Sequence, residues 1–288
     1  MDWTYLVIEI LQTAALYTIF SIGVNLLWNS NKFFDFGHIA MILFGAYGYY
    51  AVHAAGFPWF VAAFASIAVS IAVALVAEVL VYMPLRKKRA ASLMCMVASL
   101  GVMTLAQGIL LLRFGEQPYT VLDAEIYTQI LGTRISVVQI AAILVGVSVF
   151  CLVGYMYTRT KLGLSMRAVA DNPVLARVMG VPVERIRMWC VALSAACAGI
   201  VGVLQGMDSS ITPGFAMPLL LNAIVVSLIF GLGNVMKGAY GALILSCMQV
   251  ATVWFVGAGW SAAIAFLLLI ALLLYRSSQK TYGISYSS

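Results

Sequence analysis

The chain has 288 residues, of which 64% are hydrophobic and only 9% charged, with a mean hydropathy of +1.03. A water-soluble domain carries roughly 25% charged residues, so this chain cannot wet a globular surface and most of that surface must face lipid. The net charge of +6 is then a matter of membrane topology, and no nucleic-acid partner is needed to explain it.

A helix crosses the hydrocarbon core with about 20 apolar residues. Nine apolar runs approach that length: 4–28, 35–55, 57–83, 91–112, 135–157, 186–207, 215–233, 238–257 and 259–275. They predict an all-α polytopic membrane protein of eight or nine transmembrane helices, built as one membrane domain over 1–288. The runs are continuous and do not alternate apolar with polar, which excludes a β-barrel. The first run is too long for a signal-peptide core and no basic residue precedes it, so it is expected to stay as a span.

The second run carries the phrase FGHIAMILFGAYG (36–48), and a near copy, FGLGNVMKGAYG, returns at 230–241. Both open on Phe-Gly and close on Gly-Ala-Tyr-Gly. Interrupted apolar segments in matching positions of two halves point to a substrate path built from discontinuous helices. Segments 35–55 and 215–257 are therefore expected to be broken or re-entrant, with Gly231, Gly233 and Asn234 at the later break. Chance recurrence in a Gly/Ala-rich chain is the competing account.

Basic residues cluster as Arg86 to Arg89, as Arg159, Lys161, Arg167, Arg177, Arg185 and Arg187, and as the tail pair Arg276 and Lys280. Placing these in the cytoplasm puts the N-terminus outside and the C-terminus inside, and Lys32 and Lys237 follow them inward. Only Arg113 and Arg134 of the 16 basic residues then lie outside, as the positive-inside rule asks. The loop 113–134 becomes extracytoplasmic and 159–187 cytoplasmic.

The cytoplasmic loop is punctuated. Asn172 suits an N-cap and Pro173 the first helical position, where a missing N–H costs nothing. Val174, Leu175, Val178 and Met179 form a short apolar face, and Gly180 followed by Val-Pro ends the helix. Two turns of helix are marginal alone in water, so this stripe needs a surface: lipid headgroups, the protein itself, or a separate cytoplasmic subunit.

Polar residues inside the spans are costly and usually face a partner, a cavity or a pathway. Asn25, Asp35, His38, Glu78, Gln107, Asn222, Asn234 and Gln249 are of this kind. Asp35 and His38 stand three apart, on one face of any helix through them, where they could pair. Glu78 is expected to reach Arg86 or the interface. The cysteines Cys95, Cys151, Cys190, Cys197 and Cys247 lack CxxC or His spacing, so they are read as packing residues, with no metal site.

The segment 160–206 resembles the signature region of the branched-chain amino-acid type ABC importer permeases. Thr160, Leu162, Gly163, Arg167, Ala168, Asn172, Ala176, Gly180, Val181, Ala198, Gly199 and Gly202 match its pattern in place. The stretches 34–48 and 229–245 resemble the family's early and late glycine phrases, with departures at Ile39 to Met41, at Phe230 and at Lys237. The resemblance implies one half of the membrane core of an ATP-driven importer, in the inner membrane of a bacterium. It also implies a second, homologous or identical permease subunit, two cytoplasmic ATPases and an extracytoplasmic solute-binding protein. On this resemblance Gly163, Arg167, Asp171, Asn172, Pro173, Ala176, Met179 and Gly180 couple to the ATPases. Asn25, Asp35, His38, Asn222, Gly231, Gly233 and Asn234 are the candidate translocation path.

The chain has no G-x-x-x-x-G-K-[ST] phosphate loop, so no cofactor is expected in it and ATP with Mg²⁺ would sit in the partner ATPases. No catalytic group is expected either, since His38 and His53 have no Ser or Cys partner at a suggestive spacing. The weakly charged path suits small neutral or zwitterionic solutes: branched-chain or other hydrophobic amino acids first, urea or short amides behind them. A stand-alone channel or secondary transporter is the competing class, and it leaves the punctuated cytoplasmic helix unexplained.

Overall fold

The computed structural model describes residues 3–120, 127–130, 133–229, 233, 235–261, 263–267, 270–271 and 274. Its helices run in chain order as α1 (Trp3–Asn31), α2 (His38–Ala54), α3 (Trp59–Ala77), a π-helical turn (Glu78–Tyr82), α4 (Met83–Lys87) and α5 (Ser92–Phe114). A short hairpin, β1 (Tyr127–Ile130) with β2 (Thr133–Ser136), leads into α6 (Val137–Arg159), α7 (Lys161–Asp171), α8 (Pro173–Val178) and α9 (Val183–Asp208). Then come α10 (Ala216–Ile229), α11 (Gly238–Phe255) and a 3₁₀ turn (Ala258–Trp260), followed by helical residues within the last predicted run.

Six helices among the described residues are long and apolar enough to cross a membrane: α1, the continuous Trp59–Lys87, α5, α6, α9 and α11. The two short ones, α2 with 17 residues and α10 with 14, fall in the interrupted runs. At 1.5 Å per residue a 14-residue helix reaches about 21 Å, short of the ~30 Å hydrocarbon core. The predicted broken segments are thus short helices, entered after the turn at Phe36–Gly37 and left before the turn that leads to Gly238.

The repeated phrase does not map onto one structural position twice. In its first copy the Gly-Ala-Tyr-Gly sits in the interior of α2, whereas in its second copy the same four residues form the first turn of α11. Both copies lie beside a helix start, but their registers differ by about two turns.

Helices α1, α2 and α9 make the interior. Helix α2 packs against α3, α5, α9 and α10, while α1 packs against α6, α9, α10 and α11. Helices α2 and α9 approach closely through glycine: a Cβ on Gly45 would stand 2.8 Å from the carbonyl oxygen of Gly199, and one on Gly202 would collide with that of Ile42. Small residues at such a crossing let two backbones meet, the main route to tight packing between helices in lipid. The outer helices α3, α5 and α6 turn large apolar side chains such as Phe64, Leu112 and Leu152 outward, toward lipid.

The π-turn has a local cause. Pro84 has no N–H to give the carbonyl of Leu80, and its ring crowds that carbonyl. The helix widens just before it, and the Met83 N–H bonds the carbonyl of Glu78 five residues back. Beyond α5 the described part of the loop packs onto the bundle end. Tyr119 and Ile211 exchange backbone hydrogen bonds, and Tyr119 lies 4.6 Å in centroid distance from Tyr50 and 6.0 Å from Phe114. The β1–β2 hairpin was not foreseen in the extracytoplasmic loop.

Candidate functional site

Two features concentrate the candidate residues: the α7–α8 loop and a polar seam down α1. In the loop, Thr160 caps α7 by accepting from the Gly163 N–H at 3.1 Å, and a Cβ on Gly163 would collide with the carbonyls of Met156 and Tyr157. Gly163 therefore lets α7 fold back against the end of α6. Arg167 completes that attachment, with its guanidinium 5.8 Å from the Tyr157 ring centre. Sequence reading expected only the helix after Asn172, so α7 is an addition to it.

Asn172 then caps α8 with one oxygen, Oδ1, which accepts from the N–H groups of both Val174 and Leu175 at 3.0 Å, and Pro173 takes the first helical position. At the other end Val181 donates to Ala176 at 3.0 Å and Gly180 donates to Arg177 at 3.1 Å. These two bonds are a Schellman closure, which needs a left-handed residue at Gly180, and its φ is +82°. Ala176 is buried and anchors the helix from beneath. Val174, Leu175, Val178 and Met179 are between 59% and 79% exposed. Asp171 is also exposed and ends α7. The result is a six-residue helix, closed at both ends, holding four apolar side chains away from its own protein.

The seam runs along α1 at every fourth residue: Glu9, Thr13, Tyr17, Ser21, Asn25 and Asn29. Each step of four turns about 40° past a full helical turn, so the stripe winds round α1 and changes neighbours. Glu9 accepts from the Trp254 indole N–H at 2.9 Å, and Tyr17 donates to Gln249 at 2.6 Å, both on α11. Asn25 donates to Ser227 of α10 at 3.1 Å and accepts from the Gly233 N–H at 2.8 Å. Asn29 donates to the Gly233 carbonyl at 2.8 Å and to Tyr157 of α6 at 3.2 Å.

The structure therefore joins some predicted path residues and separates others. Asn25 and Gly233 meet directly, and Gly233 has a φ of +91°. Asn222 joins the same seam further toward the N-terminal end of α1, where it donates to Tyr17 at 2.8 Å. Gly231 and Asn234 lie outside the described residues.

Asp35 and His38 form a separate group against Val24, Leu27 and Trp28 of α1. That pairing does not occur. Helix α2 begins only at His38, so Asp35 belongs to the turn before it, and Asp35 Oδ1 accepts from Gly37 N–H at 2.8 Å and from the Tyr82 hydroxyl at 2.6 Å. His38 stacks on Phe20 with centroids 5.0 Å apart, and its Nε2 lies 3.4 Å from Ser194 Oγ. Glu78 does reach Arg86, in a buried ion pair, and Arg86 also donates to Asn31 at 3.2 Å.

Sequence reading missed Tyr17, Ser21, Asn29, Ser194 and Ser227. The four-residue period of polar residues in the first run would have found the first three. Nothing local marks the other two. Among the described residues no group of three or more His, Cys, Asp or Glu is placed to hold a metal.

Residues 6–273 match the family described as "Branched-chain amino acid transport system / permease component". A probable branched-chain amino acid transport permease protein, LivH of Methanocaldococcus jannaschii, is 27% identical over 134 residues, 44% of this chain and 41% of that one. The autoinducer 2 import system permease protein LsrC of Klebsiella pneumoniae is 33% identical over 129 residues, 42% of this chain and 38% of its own. These two matches span less than half of each relative. The high-affinity branched-chain amino acid transport system permease protein LivH of Escherichia coli is 21% identical over 278 residues, 90% of this chain and 88% of that one. Among solved structures, PsaBC from Streptococcus pneumoniae in complex with Fab superposes with a TM-score of 0.52 at 13% identity, covering 92% of this chain and 89% of that chain. At that identity the likeness shows the fold alone.

The family match begins in the first turns of α1, contains the whole seam and the whole α7–α8 loop, and ends in the last of the apolar runs. The chain is a multi-pass protein of the cytoplasmic membrane and belongs to the family of branched-chain amino acid transport permease components.

Proposed function

We propose that this chain forms one half of the membrane core of an ATP-driven importer for small neutral or zwitterionic solutes, branched-chain and other hydrophobic amino acids first. The observation that carries this reading is α8: a six-residue helix capped at both ends whose apolar face is turned away from its own bundle. Such a face suits a groove on a cytoplasmic ATPase. Its attachment through α7 to α6 and through Ala176 to the core makes it stiff enough to carry a push. A movement of the ATPases would then shift the bundle between outward- and inward-facing states, provided their closed form binds one state better.

The charge arrangement supports the same orientation. The bundle end that carries α8 also carries Arg86, Asn31 and the Glu184–Arg187 pair, whereas Arg113 ends α5 at the opposite pole. With the α8 end in the cytoplasm, loop 159–187 is the ATPase-facing loop and 113–134 the extracytoplasmic one. ATP and Mg²⁺ would be held by two partner ATPases, a second permease subunit would complete the core, and a solute-binding protein would dock outside. The likeness to a relative named for autoinducer 2 import keeps a polar uncharged solute as the second reading, and urea or a short amide belongs to that class.

Mild detergent extraction from native membranes, pull-down on this chain and mass spectrometry of the co-purifying proteins tests the assignment. An ATPase and a permease in near-equal amounts, with ATP turnover stimulated by loaded binding protein, is the expected result. A chain that purifies alone and moves solute into liposomes without ATP would overturn it.

A further inference from the structure

The seam opens into a cavity at the N-terminal end of α1. It is about 320 Å³, bounded by α1, α10, α11 and the following helical residues, within the range of roughly 300–1,000 Å³ typical of small-molecule sites. We propose that this cavity binds an α-amino acid with an apolar side chain inside the protomer. Glu9 would take the ammonium, Thr13 and Asn222 the carboxylate, and the apolar wall the side chain.

Three observations point to that ligand. The first is charge: among the described residues that line the cavity, Glu9 is the one carboxylate and none is basic, so the site favours a cationic end. Its Oε2 already accepts from the Trp254 indole at 2.9 Å, a neutral donor that an ammonium can outcompete.

The second is a ring of hydrogen bonds at the floor. Asn222 donates to Tyr17 at 2.8 Å, Tyr17 donates to Gln249 at 2.6 Å, and Gln249 donates back to Asn222 at 3.1 Å. Gln249 gives its remaining N–H to the Ser261 carbonyl at 3.3 Å. Asn222 keeps one N–H, and the Thr13 hydroxyl has no partner among the described residues. The ring fixes the orientation of the Asn222 amide, so the remaining donor is held in place before a ligand arrives.

The third is the wall. Met217, Leu221, Val253 and Phe266 line the rest of the cavity. An anion would meet Glu9, a sugar would meet an apolar wall, and a bulk cation would leave that wall empty. An apolar amino acid satisfies all three surfaces.

This inference rests on the importer reading, and its test separates the two. Leucine is titrated into the purified full-length complex while tryptophan fluorescence is followed, because the ligand ammonium competes with the Trp254 N–H for Glu9. A saturable change that is lost in Trp254→Phe is expected. Glu9→Gln should weaken leucine binding at least tenfold and strengthen binding of 4-methylpentanoate, an anion that lacks the ammonium and that Glu9 repels. Asn222→Leu should weaken both ligands, while leucinamide loses less than leucine. If the wild-type complex imports leucine but neither Glu9→Gln nor Asn222→Leu alters binding or the fluorescence change, the cavity is not a leucine site and the importer reading stands. If Glu9→Gln weakens 4-methylpentanoate as much as leucine, Glu9 has a structural role and the inference is overturned. A complex that binds leucine here with these signatures, yet never couples uptake to ATP, would support the cavity and overturn the importer reading.

Discussion

At the scale of one residue, Gly180 is the position whose identity the backbone dictates most directly. Its φ is +82°, and no atom lies within 4 Å of where a Cβ would stand. The demand is thus conformational and not steric. An ordinary L-residue in that region costs about 1–2 kcal/mol, roughly a factor of 5–30 in the population of the formed turn. Gly180→Val should therefore loosen the Schellman closure and lower solute-stimulated ATP turnover by that order in an assembled complex. Gly180→Asn, which tolerates a left-handed backbone, should recover most of the loss. Equal loss in both variants would mean that glycine is needed for close approach of the ATPase. This residue was legible in advance because a C-terminal cap leaves a local signature. Asp35 and His38 were misread for the complementary reason: their spacing is helical only if the helix includes both, and α2 starts at His38.

At the scale of the element, the π-turn and the ion pair it presents belong together. Glu78 is the first residue of the widened turn, and its carboxylate and the Arg86 guanidinium are both largely shielded from solvent. Removing one partner of a buried pair costs about 3–5 kcal/mol, because the other charge is left uncompensated, whereas replacing both with apolar residues is often nearly neutral. Arg86→Met should accordingly lower the thermal midpoint of the detergent-solubilised protein strongly, and Glu78→Met/Arg86→Met should return most of it. A single variant that melts with the wild type would show that Glu78 finds water or Asn31 instead. The pair itself could be foreseen from a carboxylate about one turn from the basic end of its span, but the π-turn between them could not. Pro84 is plain in the sequence, but a proline inside a helix can kink it or widen it, and only the folded helix shows which. For the same reason α8 was foreseen and α7 was not: α8 carries its caps in its own sequence, while α7 forms because Gly163 and Arg167 hold it against α6.

At the scale of the whole molecule, the spans were legible and their relations were not. Composition and run length place five of the six long helices within about three residues of their observed ends, and the sixth, Trp59–Lys87, runs four residues past its predicted end. The seam down α1 needs partners more than 200 residues away in sequence, such as Gly233 with Asn25, and only the folded bundle supplies them.

The chain direction that follows from the basic residues makes a sharp prediction about the two ends. With the N-terminus outside, α1 descends, α2 rises and Trp59–Lys87 descends again, so the turn at Ala55–Phe57 is extracytoplasmic while α8 is cytoplasmic. Gly56 and Val178 are both exposed, which makes them suitable reporters. In right-side-out vesicles a membrane-impermeant maleimide should label Gly56→Cys and spare Val178→Cys, and in inverted vesicles the pattern should reverse. The native cysteines do not compete, since Cys95, Cys190 and Cys197 are buried and Cys151 and Cys247 lie within α6 and α11, two of the spanning helices. Labelling of both sites from one side would mean that one of the three helices between them, Trp59–Lys87, α5 or α6, does not cross, and α8 and the leucine cavity would then have to be assigned to faces afresh. The opposite polarity would put 14 of 16 basic residues outside and leave α8 with no ATPase to meet.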